Sequence, residues 1–326
     1  MISKEEIFQI NSKKEFEKIT LKVFRYQYDH NLVYQQFCNL LHKDKSNVKT
    51  LTEIPFLPIQ FFKSHRVLSS TSSVQQTFTS SGTTGMITSQ HLVTDTSWYE
   101  ESYQKAFAQF YGDIEGYVVL ALLPSYLERQ GSSLIYMVSD LIERSNHIES
   151  GFYLHNYEAL AAKLIELDSS GQNVILIGVT YALLDIIEVQ KFELKNTIIM
   201  ETGGMKGKRK EMIREELHQL LCQGFGVSNI HSEYGMTELL SQAYSLGNGV
   251  FECPNWMHIL IRDTEKAQSY VKTSKTGGIN VIDLANYNSC SFIATQDLGK
   301  KYPNNSFEVL GRFDHSDIRG CNLMVI

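Results

Sequence analysis

An α/β layered fold with substantially parallel strands is what this 326-residue sequence predicts. Three observations carry that expectation. Short apolar runs at 117–123, 173–178, 197–200 and 279–284 read as buried strands. Helical spacing fills 97–110, 133–144, 157–168, 181–191 and 206–222, so strands and helices alternate as they do when helices cover a parallel sheet. With 43% hydrophobic and 20% charged residues, the chain can bury one large core or two ordinary domains. In such folds ligands sit beyond the carboxyl ends of the strands, where tight turns bring backbone N–H groups together.

In chain order, Ile7, Ile10, Phe16, Ile19, Val23 and Phe24 recur every three to four residues, which makes residues 1 to about 45 helical. The stretch 54–63, IPFLPIQFFK, sets two of the five prolines among large apolar residues, the pattern of an extended, anchored connector. Residues 69–90, SSTSSVQQTFTSSGTTGMITSQ, would pass for a linker by composition alone. No repeat and no strong break follows residue 70. The expected organisation is an N-terminal helical segment and connector, 1–70, packed on a core of 71–326 as one structural unit.

Formal net charge is −6 with dispersed basic residues, so no broad positive field exists to hold a phosphate backbone, and nucleic acid is excluded as a partner. The N-terminus is amphipathic and charged, unlike a secretory leader. The longest apolar stretch, 174–187, is broken by Gly178, Thr180, Tyr181 and Asp185 and is too short to span a bilayer. A cytoplasmic protein is expected. Five scattered cysteines without a CxxC pair read as free thiols in a reducing compartment. Cys253 with His258 is no four-ligand zinc shell.

Four segments carry chemistry. In 78–85, FTSSGTTG, two glycines and a run of hydroxyls could converge donors on a triphosphate, although the Lys of a Walker loop is missing and a flexible polar loop has the same composition. In 233–238, EYGMTE, Tyr234 could lie on a base, Thr237 bond a phosphate and Glu238 hold Mg²⁺; the plainer alternative is a helix N-cap. Asp297, after the apolar run of IATQDLG, falls at a strand end where a carboxylate can take ribose hydroxyls or simply cap a turn. Arg312, in GRFDHSDIRGC, offers a planar fork of donors for phosphate or ribose oxygens, or an exposed ion pair with Asp314 or Asp317.

In this order and spacing the four segments resemble the adenylate-forming superfamily of acyl-CoA synthetases, peptide-synthetase adenylation domains and luciferases, over residues 55 to 321. IPFLPIQFFK, SSGTTG, EYGMTE and the terminal DIRGC look most like the acyl-protein synthetase branch that serves the fatty acid reductase of bacterial bioluminescence. The resemblance implies the N-terminal-type core of that superfamily and two cofactors, ATP and Mg²⁺. It puts Thr79, Ser80, Ser81, Gly82, Thr83, Thr84 and Gly85 around the phosphates and Gly203 and Gly204 of METGG beside the adenine. Tyr234 with Gly235 falls at the adenine-stacking position, Thr237 at the phosphate, Glu238 at the metal and Asp297 with Arg312 at the ribose. Thr83, Thr237, Glu238 and Cys321 form the expected catalytic set, and Asp314 falls at the hinge position.

Departures from the pattern shape the functional expectation. MITSQ replaces the usual Pro-Lys-Gly after the loop, which removes a basic pyrophosphate contact, and Gln296 replaces a Gly before Asp297. The sequence stops at Ile326, so the mobile C-terminal domain with its catalytic Lys is expected to be lacking. The branch resemblance answers this with a terminal cysteine acceptor, Cys321, whose thiol Arg312 or Arg319 could acidify, or which could be a buried core residue. Adenylation of a carboxylic acid, expected to be a fatty acid, followed by acyl transfer to a protein thiol is the leading expectation, with an acyl-reductase or acyl-carrier protein as partner. The rivals are a CoA or carrier-protein ligase of the phenylacetate-ligase kind with its missing domain in trans, and a non-catalytic nucleotide-binding subunit. His231 and the run 206–210, KGKRK, read more simply as hydrogen-bonded structure and a solvated charged face.

Overall fold

A computed structural model describes residues 2–80, 88–124, 131–203, 209, 212–266 and 268–313. The chain forms two compact units, the first comprising 1–102, 237–241 and 252–326 and the second 103–236 and 242–251.

The first unit opens with α1 (Lys4–Phe8), α2 (Lys13–His30) and α3 (Leu32–Leu40). Ser3, Ser12 and Asn31 cap them, each side chain accepting the N–H of Glu6, Glu15 and Tyr34 respectively. The expected stripe is the buried one: Ile7, Ile10, Phe16, Ile19, Val23 and Phe24 are all in the core. Within it, Gln27 on α2 donates to the carbonyls of Asn286 and Tyr287, both at 2.9 Å, and accepts from Ser291 N–H. Burying Gln27 fully is tolerable because its amide is satisfied on both sides.

The connector is extended only as far as Pro58, and the expectation of extended chain through Lys63 is corrected by a turn at 59–60 and a helix after it. Leu57–Pro58 (β1) pairs in parallel with Ile293 and Ala294, and the chain then turns into the short α4 (Phe61–Ser64). Next come β2 (Gln76–Thr79) and β3 (Gln90–Val93), an antiparallel pair. The helix α5 (Ser97–Tyr111) leaves the unit at residue 102.

The second unit holds the predicted parallel sheet. β4 (Val118–Leu122), β5 (Gly151–Phe152), β6 (Val174–Gly178), β7 (Thr197–Glu201), β8 (His231–Tyr234) and β9 (Ala243–Ser245) lie in the order β5-β4-β6-β7-β8-β9, antiparallel only at β8–β9. β4 and β6 are buried along their whole length, the mark of strands covered on both faces. The crossovers are α6 (Ser133–Arg144), α7 (Tyr157–Ser169), α8 (Thr180–Val189) and α9 (Arg214–Phe225). The last runs three residues beyond its expected end, and Gly226, with φ 69°, supplies the left-handed stop.

Chain returning to the first unit after β10 (Val250–Phe251) builds β11 (Met257–Arg262), β12 (Thr276–Asp283), β13 (Phe292–Lys301) and β14 (Phe307–Arg312). These pair antiparallel in the order β14-β13-β12-β11, with β1 on the flank of β13 that β14 leaves open. The run 279–284 is therefore a buried strand as expected, but in an antiparallel sheet: an apolar run reports burial on both faces and says nothing of strand direction.

Candidate functional site

Within the first unit, four parts of the predicted site converge. Thr79 ends β2 opposite Gln90. Beyond it Ser80 N–H donates to the Ser89 carbonyl at 3.1 Å, and Ser80 Oγ accepts from Ser89 N–H at 2.8 Å. Ser81, Gly82, Thr83, Thr84 and Gly85 lie outside the described residues.

The segment 237–241 is a turn followed by irregular chain with a bend; no helix starts there, so the N-cap alternative falls. A turn exposes main-chain polar groups, and buried side chains meet them. His91 on β3 donates from Nδ1 to the Thr237 carbonyl at 2.8 Å, Asn286 donates to the Glu238 carbonyl at 2.7 Å, and Asp283 accepts from Leu240 and Ser241 N–H at 2.8 and 3.0 Å. Asp283 also takes the Ser241 hydroxyl and Ala285 N–H. All three clamps are 0% exposed. Burial outweighs these bonds and lifts Asp283 to about 6, while it depresses His91 to about 4 and so keeps the ring neutral.

Glu238 is itself buried, at 5% exposure. Desolvation raises its pKa; the Ser89 hydroxyl and then the charges of Arg312 and Lys63 pull it back. A buried hard-oxygen donor whose charge is only partly compensated suits a divalent cation such as Mg²⁺.

Asp297 and Arg312 face each other across β13 and β14, with Arg312 Nε donating to Asp297 Oδ1 at 3.1 Å. Asp297 is buried and the arginine side chain 80% exposed, so the pair leaves most of the guanidinium fork available. The expected strand end is corrected here: β13 continues through Asp297 to Lys301. The apolar run ends before Asp297 but the strand does not, and Gly299 lies inside it at a close approach, where a Cβ would stand 2.6 Å from both the Glu308 carbonyl and Ile279. Asp314, Arg319 and Cys321 lie outside the described residues.

The second unit carries the remaining residues. Gly203 follows β7 with φ 74°, a conformation glycine adopts without strain, and its N–H donates to the Glu201 carboxylate at 2.8 Å. Glu201, 4% exposed, also accepts from Thr180 Oγ1 at 3.0 Å, Arg214 Nη1 at 3.2 Å and Ser232 Oγ at 3.3 Å. Burial opposes its ionisation, but His218, Arg214 and the Gly203 N–H together leave its pKa lowered. Gly204 is outside the described residues. Tyr234 closes β8 and Gly235 follows it, with the buried Tyr234 ring edge-on to Phe251 at 5.9 Å. His231 meets the Tyr111 hydroxyl at 3.2 Å, the structural role its sequence context suggests. Arg209 of the basic run is held by Asp185 and Glu188 at 3.0 and 2.7 Å.

His91, Asp283, Asn286, Ser89 and Glu201 were not foreseen. A faint signal existed for two of them: Glu201 and Asp283 each close a largely apolar run, IIME and INVID, where a carboxylate must find buried donors.

The profile of the family described as "Acyl-protein synthetase, LuxE" matches residues 5–100. The long-chain-fatty-acid–luciferin-component ligase of Aliivibrio fischeri is 24% identical, over 99% of this chain and 91% of its own. That of Vibrio harveyi is 23% identical over 92% and 84%. Among solved structures, 2-hydroxyisobutyryl-CoA ligase with 2-HIB-AMP and CoA superposes with a TM-score of 0.66 at 13% identity, covering 95% of this chain and 70% of that one. ATP-bound MatB from Rhodopseudomonas palustris gives 0.54 at 16% identity, covering 74% of this chain; the chain spans about half of MatB, 49%. No helix among the described residues is long and apolar enough to cross a membrane. The chain has the adenylate-forming fold and is similar over residues 5–100 to the acyl-protein synthetase family.

Proposed function

We propose that this protein activates a fatty acid with ATP and passes the acyl group to a protein thiol. The observation that carries the reading lies in the first unit, where the buried Glu238, bonded by Ser89, is within electrostatic reach of Arg312, whose guanidinium its bond to Asp297 leaves mostly available. The substrate carboxylate oxygen bonds the α-phosphorus as the bond to pyrophosphate breaks; the thiolate of Cys321 then takes the acyl carbon and releases AMP. Bound Mg²⁺ supplies neutralisation of phosphate charge. Glu238 would hold it, Thr237 with Thr79 to Gly85 would bond phosphate oxygens, Asp297 and Arg312 the ribose, and Gly203, Gly204, Tyr234 and Gly235 the adenine. An acyl-reductase or acyl-carrier protein is the natural recipient, and the cytoplasm the natural compartment.

The test is ATP-dependent incorporation of radiolabelled fatty acid into the purified protein without CoA. Hydroxylamine-labile label that is lost in Cys321→Ser, with acid-dependent pyrophosphate exchange retained, supports both steps. Exchange without label moves the acceptor to another protein; no exchange in the wild type refutes adenylation.

A further inference from the structure

Between Arg66 and Lys105 the sequence has neither lysine nor arginine, so the hydroxyl-rich loop 78–85 brings no cation of its own to a polyphosphate. The fold brings two from elsewhere. Lys63 and Arg66 line a cleft of about 510 Å³ whose other wall includes Thr88 and Gln90, the residues that follow the loop into β3.

Their placement is fixed by the buried half of the connector. Ile59 N–H bonds the Ala294 carbonyl at 3.0 Å, continuing the β1–β13 pairing, and Phe62 is buried edge-on to His91 at 5.6 Å. The connector is thus registered on the strand that carries Asp297 three residues later and on the histidine that clamps Thr237. Both cationic side chains are exposed, and among the described residues neither has a carboxylate partner. His65 is otherwise occupied, stacked on Phe61 at 4.9 Å with Nδ1 2.8 Å from Ser64 Oγ. Lys63 is near enough to Glu238 for its charge to act on that carboxylate. Two unpaired cations beside a phosphate-loop stem and a metal-type carboxylate have one chemistry in common, the binding of a multiply charged phosphate anion.

We propose that Lys63 and Arg66 form the pyrophosphate subsite, supplying from the connector the basic contact that the loop sequence lacks. The inference rests on the adenylation reading for its place in the reaction but not for its test. Inorganic pyrophosphate with Mg²⁺ is titrated calorimetrically into the wild type, Lys63→Gln, Arg66→Gln and the double variant, with AMP titrated in parallel. A charge-assisted contact of this kind is worth roughly tenfold in affinity, so each single variant should bind pyrophosphate about tenfold more weakly and the double more weakly still, with AMP affinity unchanged. Lys63→Arg should retain most of the binding. Because both positions are exposed, the variants should fold, which their melting curves check. Pyrophosphate affinity equal in all four proteins, or absent from the wild type, overturns the subsite. Lys63-dependent pyrophosphate binding in a protein without acid-dependent exchange upholds the subsite and sinks adenylation instead.

Discussion

The side-chain amide of Asn286 donates to the main-chain carbonyl of Glu238 at 2.7 Å, and both residues are buried. The expected metal ligand is therefore aimed through its own backbone by a residue from the 3-10 helix Leu284–Asn288 that follows β12. Asn286→Ala leaves that carbonyl unpaired, at a cost of roughly 1–3 kcal/mol. A half-saturating Mg²⁺ concentration for pyrophosphate exchange that rises several-fold would be the functional trace. Unchanged Mg²⁺ dependence with lowered stability would reduce Asn286 to a purely structural role.

Asp283 gathers four donors, from Leu240, Ser241 twice and Ala285. Asp283→Ala strands all of them in the core and should lose at least about 3 kcal/mol in urea titration, while Asp283→Asn, which keeps the volume and one acceptor oxygen, should lose less. Equal losses would mean that packing, and not the donors, sets the cost.

His91 gives a pH signature. Its folded pKa, about 4, lies below the ordinary 6.5, so the unfolded chain binds the extra proton between those values and stability falls as pH drops through that window. Asp283, raised to about 6, acts in the opposite sense as pH rises from its ordinary value, but it is present in wild type and variant alike. The stability advantage of wild type over His91→Asn should therefore shrink by about 2 kcal/mol between pH 7.5 and pH 5. An advantage constant with pH would show that the ring is not held neutral.

In the second unit, Glu201 ties the Gly203 N–H to Thr180 and Arg214. Glu201→Ala removes the partner of a largely buried arginine and should cost about 3–5 kcal/mol. Gly203→Ala meets no atom within 4 Å, so only its φ of 74° opposes the change, and about 1 kcal/mol is expected. A larger loss at Gly203 would point to a packing partner there. Thermal melts of the two variants separate these cases.

The sequence by itself determined the element types and the local motifs. Continuous apolar runs located β4, β6 and β7, and apolar spacing of three to four residues the N-terminal helices, because whatever faces the core must be apolar wherever the chain goes. Proline placed the connector, and the joint spacing of FTSSGTTG, EYGMTE, Asp297 and Arg312 pointed to a nucleotide site. What the tertiary structure alone decided is which polar groups meet. That Asp297 sits within a strand and pairs with Arg312, that His91, Asn286 and Asp283 hold the turn carrying Thr237 and Glu238, and that Lys63 lies near Glu238 all depend on strand register and on residues far apart in the chain. A buried hydrogen bond is specified by two distant partners at once, and neither partner's local sequence encodes the other.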